Sequence, residues 1–196
     1  MKAPWDAKLT ELLKKDYVRT VIMLLIIIII VIGFWYGLRF AFRTEHPLLA
    51  VASESMEPAL YRGYLILVQG GLKPPYSEID VGYTNGTIIV FDGKAIGEHD
   101  LIVHRAIDKD YKDGVWYFKT HGDNNSPNSV EEFSEDHLVG KVVGRAPWLG
   151  HIALFFEPFE VKVAFILLWV ILLIILEFVP LSRKKGEEEQ DQTKPL

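Results

Sequence analysis

The stretch from Val18 to Leu38 constrains this chain more than any other. It runs through Ile26-Ile27-Ile28-Ile29-Ile30 and carries no charge except Arg19 at its edge. About 20 such residues, rising about 1.5 Å each, cross a hydrocarbon core roughly 30 Å thick. Residues 18–38 are therefore expected to form a transmembrane helix, and whatever else folds must do so beside a membrane anchor. A cleaved leader has a shorter apolar run, about 7–15 residues, and ends in small side chains. Here Arg39 and Arg43 follow instead, which favours an anchor that is retained.

A second apolar stretch, residues 161–179, has Lys162 at its entrance and Glu177 near its exit, so its uncharged part is only Val163 to Leu176. It is expected to be a second transmembrane helix, with a buried core helix as the alternative for so short a run. Lys2, Lys8, Lys14, Lys15 and Arg19 precede the first stretch, and Arg183, Lys184 and Lys185 follow the second. Basic flanks stay in the cytoplasm, which puts residues 1–17 and the tail 180–196 inside and residues 44–158 outside, in a multi-pass cell-membrane protein. Arg39 and Arg43 pull weakly the other way. Trp35, Tyr36 and Phe40 suit an interfacial aromatic belt at the outer edge.

Of the 196 residues, 49% are hydrophobic, and the excess over an ordinary soluble domain lies in these two runs. The formal charge of -5 owes much to Glu187-Glu188-Glu189 and Asp191 in the tail, a solvated end rather than a binding surface. No basic stripe interleaved with aromatic residues crosses the middle, so nucleic acid is not an expected partner. The chain has no cysteine, which removes disulfides, thiolate zinc sites and cysteine nucleophiles. No His-Glu-X-X-His run or other metal-ligand spacing occurs, and neither a metal nor another cofactor is expected.

Between the apolar runs, β-branched and aromatic segments alternate with turn residues. Tyr64 to Val68 ends at Gly70-Gly71, Thr87 to Phe91 ends at Asp92-Gly93, and Leu101 leads through His104 to Ile107. Val115 to Thr120 follows Asp113-Gly114, a hairpin turn pair, and Leu138 to Arg145 is a further strand. No useful helical period appears here. The expected fold is mainly β, an antiparallel extracytoplasmic domain between N- and C-terminal transmembrane helices. Pro74-Pro75 marks an exposed loop.

Ser55 lies a short way beyond the first apolar run, in Ser53-Glu54-Ser55-Met56-Glu57-Pro58. A serine needs a base before it can attack a carbonyl. His104, on a strand beside Ile102 and Val103, is the natural one, and Asp123 in His121-Gly122-Asp123-Asn124-Asn125 could orient the imidazole. Each residue alone has a plainer reading as a turn, a cap or a satisfied polar group. Pattern by itself does not join them.

A resemblance does. Ser53 to Pro58, Ile102-Val103-His104-Arg105, Gly122-Asp123-Asn124-Asn125 and Leu138-Val139-Gly140-Lys141-Val142-Val143-Gly144, in that order, resemble the motif boxes of type I signal peptidases over most of Val51 to Gly150. Bacterial members place lysine before the arginine. With His104 before Arg105, this chain is similar to the archaeal and endoplasmic-reticulum branch, with an archaeal source favoured.

The resemblance implies a serine endopeptidase of the signal peptidase I type, in which Ser55 is the nucleophile, His104 the general base, and Ser53 with the Ser55 backbone N–H the oxyanion hole. Asp123 matches the aspartate of the Gly-Asp-Asn box. Relatives in this branch carry another aspartate about six residues later, where this chain has Asn128 and Ser129. The imidazole could then rest on Asp123, on Asn128 or Ser129, or on Glu131 reached by a shifted loop, while Asp136 reads as a surface residue. The implied function is removal of N-terminal signal peptides from secreted preproteins at the outer membrane surface, with membrane lipid and the secretion translocon as further partners. The missing aspartate motivates one alternative: a non-catalytic, membrane-tethered β module serving as a scaffold in a secretion complex.

Overall fold

A computed structural model of the protein describes residues 16–172 and 175. The expected cytoplasmic tail and most of residues 1–17 lie outside these residues, as does part of the second apolar stretch. Helix α1 spans Asp16–Phe42, and Ile26 through Ile30 are each half exposed or more. It has no polar face and packs on no core, so length and composition together make Thr20–Phe42 able to cross a bilayer. The second stretch is helical over 159–172. The rest of that stretch, apart from residue 175, lies outside the described residues, and among the described residues one helix is long and apolar enough to span. The last turn of α1 is tied to the sheet domain by the Gly70 N–H, which donates to the Phe42 carbonyl at 2.8 Å.

The domain between the apolar segments is one seven-stranded antiparallel sheet. Its strands are β1 (Leu48–Ala50), β2 (Leu65–Gln69), β3 (Ile88–Asp92), β4 (Leu101–Lys112), β5 (Val115–His121), β6 (Val130–Ser134) and β7 (Leu138–Ala146). They lie in the order β1-β2-β7-β3-β4-β5-β6. A short helix, α2 (Gly150–Phe155), follows the last strand. Five strands fall where alternation and turn residues placed them. Strands β1 and β6 have no such prominence: β1 is three residues long, and β6 carries Glu131-Glu132 in its middle. The β4–β5 turn is made by Asp113 and Gly114, both at positive φ, as a two-residue hairpin with right-handed strand twist requires.

Side chains alternate across the sheet, and β3 is buried on both sides because Ile89 and Phe91 face one layer and Val90 the other. The first layer gathers Tyr76, Ile79, Ile89, Phe91, Ala106, Phe118 and Phe133. Phe91 and Phe133 stack with ring centroids 4.2 Å apart. Contacts of this kind add about 0.5–1.5 kcal/mol beyond area burial, and this one fixes edge strand β6 against the centre of the sheet. The second layer gathers Val51, Met56, Leu60, Ile66, Val68 and Val90, so the loop that follows β1 is held by its own buried Met56 and Leu60. These two layers set the positions of everything at the site.

Candidate active site

Three strands of the first layer end in polar rather than apolar side chains. Register pairs Ile89 with His104 across β3 and β4, Ala106 with Thr120 across β4 and β5, and Thr120 with Glu131 across β5 and β6. With a side-chain period of two, His104, Thr120 and Glu131 continue the face that Phe118, Phe133 and Phe91 occupy further along. His104 is 6% exposed and Thr120 is fully buried. Polar groups placed there need partners. They have them: His104 Nδ1 lies 3.0 Å from Glu131 Oε2, and the Thr120 hydroxyl donates to the same oxygen at 3.1 Å. Among the described residues, no buried side-chain polar atom lacks a hydrogen bond.

The other ring nitrogen, His104 Nε2, lies 3.1 Å from Ser55 Oγ. An ionised carboxylate only accepts hydrogen bonds, so Nδ1 carries the proton toward Glu131. In the neutral ring Nε2 is then the acceptor for the Ser55 hydroxyl. Ser53 Oγ sits 3.2 Å from Ser55 Oγ. Burial pushes the Glu131 carboxyl up. The hydrogen bond and charge of His104, with the Thr120 hydroxyl, outweigh burial and hold it below its ordinary range.

Ser55 is far from His104 along the chain and is delivered by a turn. The Asn124 N–H donates to the Ser55 carbonyl at 2.8 Å, and Asn124 Nδ2 donates to the Glu54 carbonyl at 3.2 Å. The same turn meets the base, since a Cβ at Gly122 would stand 2.9 Å from His104 Nε2 and 2.7 Å from Asn125 Nδ2. Only glycine leaves room there for the imidazole to approach the serine.

Asp123 does not face His104. It takes both arms of Arg105, Nε to Oδ1 at 2.8 Å and Nη2 to Oδ2 at 2.5 Å, while Arg105 Nη1 donates to the Gly86 carbonyl at 2.7 Å. The expectation that Asp123 orients the imidazole is corrected on geometry. A planar guanidinium matches a carboxylate bidentately, and His104 and Arg105, being neighbours on one strand, point to opposite faces. The Asp123 hydrogen bonds raise the Arg105 pKa still further, against burial. Of the three other positions considered, Glu131 is the one in reach, and no shifted loop is involved: it sits in β6, two residues before buried Phe133. That spacing was the available signal, because period two puts Glu131 on the core face. Among the described residues no cluster of three or more metal-ligating side chains occurs.

No family model matches the chain. Curated relatives do. The chain is 30% identical to the signal peptidase complex catalytic subunit sec11 of Dictyostelium discoideum over 151 residues, 72% of this chain and 78% of the relative. It is 28% identical to SEC11 of Tuber melanosporum over 157 residues, 76% and 83% of the two chains. Against SEC11C of Canis lupus familiaris it is 32% identical over 133 residues, 64% and 65%. All three are eukaryotic and lend no support to an archaeal source. At this identity and coverage, the chain belongs to the family of signal peptidase complex catalytic subunits.

Proposed function

We propose that the protein is a membrane-anchored serine endopeptidase that removes N-terminal signal peptides from preproteins, on the extracytoplasmic side of the membrane that holds it. One observation carries this reading: a continuous hydrogen-bond chain from Ser55 through His104 to Glu131, at 3.1 and 3.0 Å. Ser55 attacks the scissile carbonyl as His104 Nε2 takes its proton, and Glu131 keeps the ring in the productive tautomer and stabilises the imidazolium. The Ser55 backbone N–H and the Ser53 hydroxyl take the developing oxyanion. His104 then returns the proton to the leaving amine, and water hydrolyses the acyl-enzyme. Asp123 acts at one remove, since its pairing with Arg105 anchors the turn that holds Ser55.

In this reading α1 and the helical stretch starting at residue 159 both cross the bilayer, with residues 44–158 outside. Substrates threaded by the translocon then meet the site at fixed depth, their apolar segment in the surrounding lipid and their cleavage site extended along the sheet domain. The scaffold alternative rested on a missing acid, and Glu131 supplies one. The test is cleavage of a preprotein by the full chain in liposomes. Ser55→Ala should abolish product while keeping the wild-type thermal transition, His104→Ala should abolish it at a cost in stability, and normal cleavage by Ser55→Ala would remove that hydroxyl from the mechanism.

A further inference from the structure

The sequence contains two Asn-X-Ser/Thr triplets, Asn85-Gly86-Thr87 and Asn124-Asn125-Ser126. Such triplets accept N-linked sugar where a chain enters a compartment holding a lipid-linked oligosaccharide donor, and the fold treats the two very differently. In the first, the fold itself explains two of the three residues. Gly86 is buried, and a Cβ there would come within 2.1 Å of the Ala106 carbonyl oxygen. Thr87 closes its loop by accepting from the Asp80 N–H at 2.9 Å through its hydroxyl and donating its own N–H to the Asp80 carbonyl at 2.8 Å. Asn85 has no such role. It is exposed at the loop tip beside exposed Tyr83, and its side chain makes no hydrogen bond within the described residues.

The second triplet is occupied by the site. Asn124 Nδ2, the atom that would carry sugar, donates to the Glu54 carbonyl beside Ser55, and a glycan there would stand where a substrate's scissile bond must lie. From this contrast we infer that Asn85 is an N-glycosylation site and that Asn124 stays bare in active protein. Asn85 Nδ2 forms a bond to C1 of the sugar as the C1–O bond to the lipid diphosphate breaks. The diphosphate leaves with the bonding electron pair, and the amide gives up one proton. Because the Thr87 hydroxyl is engaged once the loop closes, transfer precedes closure of the 80–87 turn, and the finished fold leaves the sugar pointing into solvent.

The inference rests on the extracytoplasmic placement proposed above, so the experiment reads both. The full chain is expressed in cells whose secretory membranes carry the donor, and glycopeptides are mapped by mass spectrometry in wild type, Asn85→Gln and Asn124→Gln. Because the chain has no cysteine, His99→Cys on an exposed turn gives a single handle whose labelling by a membrane-impermeant maleimide reports the side of the membrane. The expected result is one glycan on Asn85, lost in Asn85→Gln, kept in Asn124→Gln, with residue 99 in sealed microsomes labelled only after the membrane is opened and cleavage by Asn85→Gln unchanged. Labelling of residue 99 only after opening, with a bare Asn85 or with sugar on Asn124 instead, overturns the glycosylation inference and leaves the topology standing. Residue 99 labelled while the microsomes are still sealed overturns both.

Discussion

Asp123 and Glu131 are equally sheltered, each with 14% of its side chain exposed, and each faces one basic partner. They sit on different regions with different tasks. Asp123 lies in the turn between β5 and β6 and meets a guanidinium that keeps its charge at every pH the fold survives, an arrangement that locks position. Glu131 lies in a strand and meets an imidazole, the group that takes and returns a proton in the proposed mechanism, an arrangement suited to proton transfer. Burial and ion pairing therefore do not by themselves mark a mechanistic carboxylate. The chemistry of its partner does.

The sharpest way to break this contrast is Glu131→Gln. An amide at this position permits the wrong imidazole tautomer, a loss worth about 10⁴ in kcat where an orienting carboxylate has been so replaced. We expect a fall on that scale in preprotein cleavage, with KM close to wild type and a thermal transition lowered only modestly. Asp123→Asn should invert the pattern. Removing one partner of a sheltered ion pair costs about 3–5 kcal/mol, so its main effect belongs in the unfolding midpoint. If Asp123→Asn loses activity at wild-type stability while Glu131→Gln keeps it, the two roles are exchanged.

Smaller changes sharpen the comparison. Gly122→Ala pushes a methyl into His104 Nε2 and Asn125 Nδ2. A displacement of about 1 Å at reacting groups can cost about 10²-fold, which should show in kcat for cleavage with little change in KM. Thr120→Val removes one of two hydrogen bonds to Glu131 Oε2. Hydrogen bonds to charged groups contribute about 1.5–3 kcal/mol, and we expect a loss of roughly that size in denaturant unfolding.

The smallest effect is a pH dependence. The Glu131 carboxyl is held below its ordinary value, so its contribution to stability is fully present above about pH 4.3, the unfolded value, and fades as pH falls through the lower folded one. Thermal melts across that range should show the wild type losing stability that Glu131→Gln never had. Parallel curves for the two proteins would contradict the pairing.

Much of this was legible in the sequence because it depends on short-range signals. The run through five consecutive isoleucines declared α1, and turn pairs such as Asp113-Gly114 fixed the central strands. Ser55 and His104 stood out through the motifs around them, although the distance between them was a question of tertiary structure. Glu131 entered only as one of several alternatives to Asp123. Glu131-Glu132 reads as a solvated acidic pair unless Phe133 is taken as the anchor of the strand's inward face, and three strand registers must be known before Glu131 meets His104. Asp123 misled for the converse reason: its motif named the residue, while its partner was decided by which side of β4 Arg105 faces.

The central claim is that Ser55 is an activated nucleophile, and covalent labelling tests it most directly. A serine-reactive acylating inhibitor of signal peptidases, incubated with the full chain in detergent and followed by peptide mapping, should give a single adduct on Ser55. That adduct should be absent in Ser55→Ala and form far more slowly in His104→Ala and Glu131→Gln. A folded wild-type protein that takes no label, or takes it at a residue other than Ser55, would contradict the account.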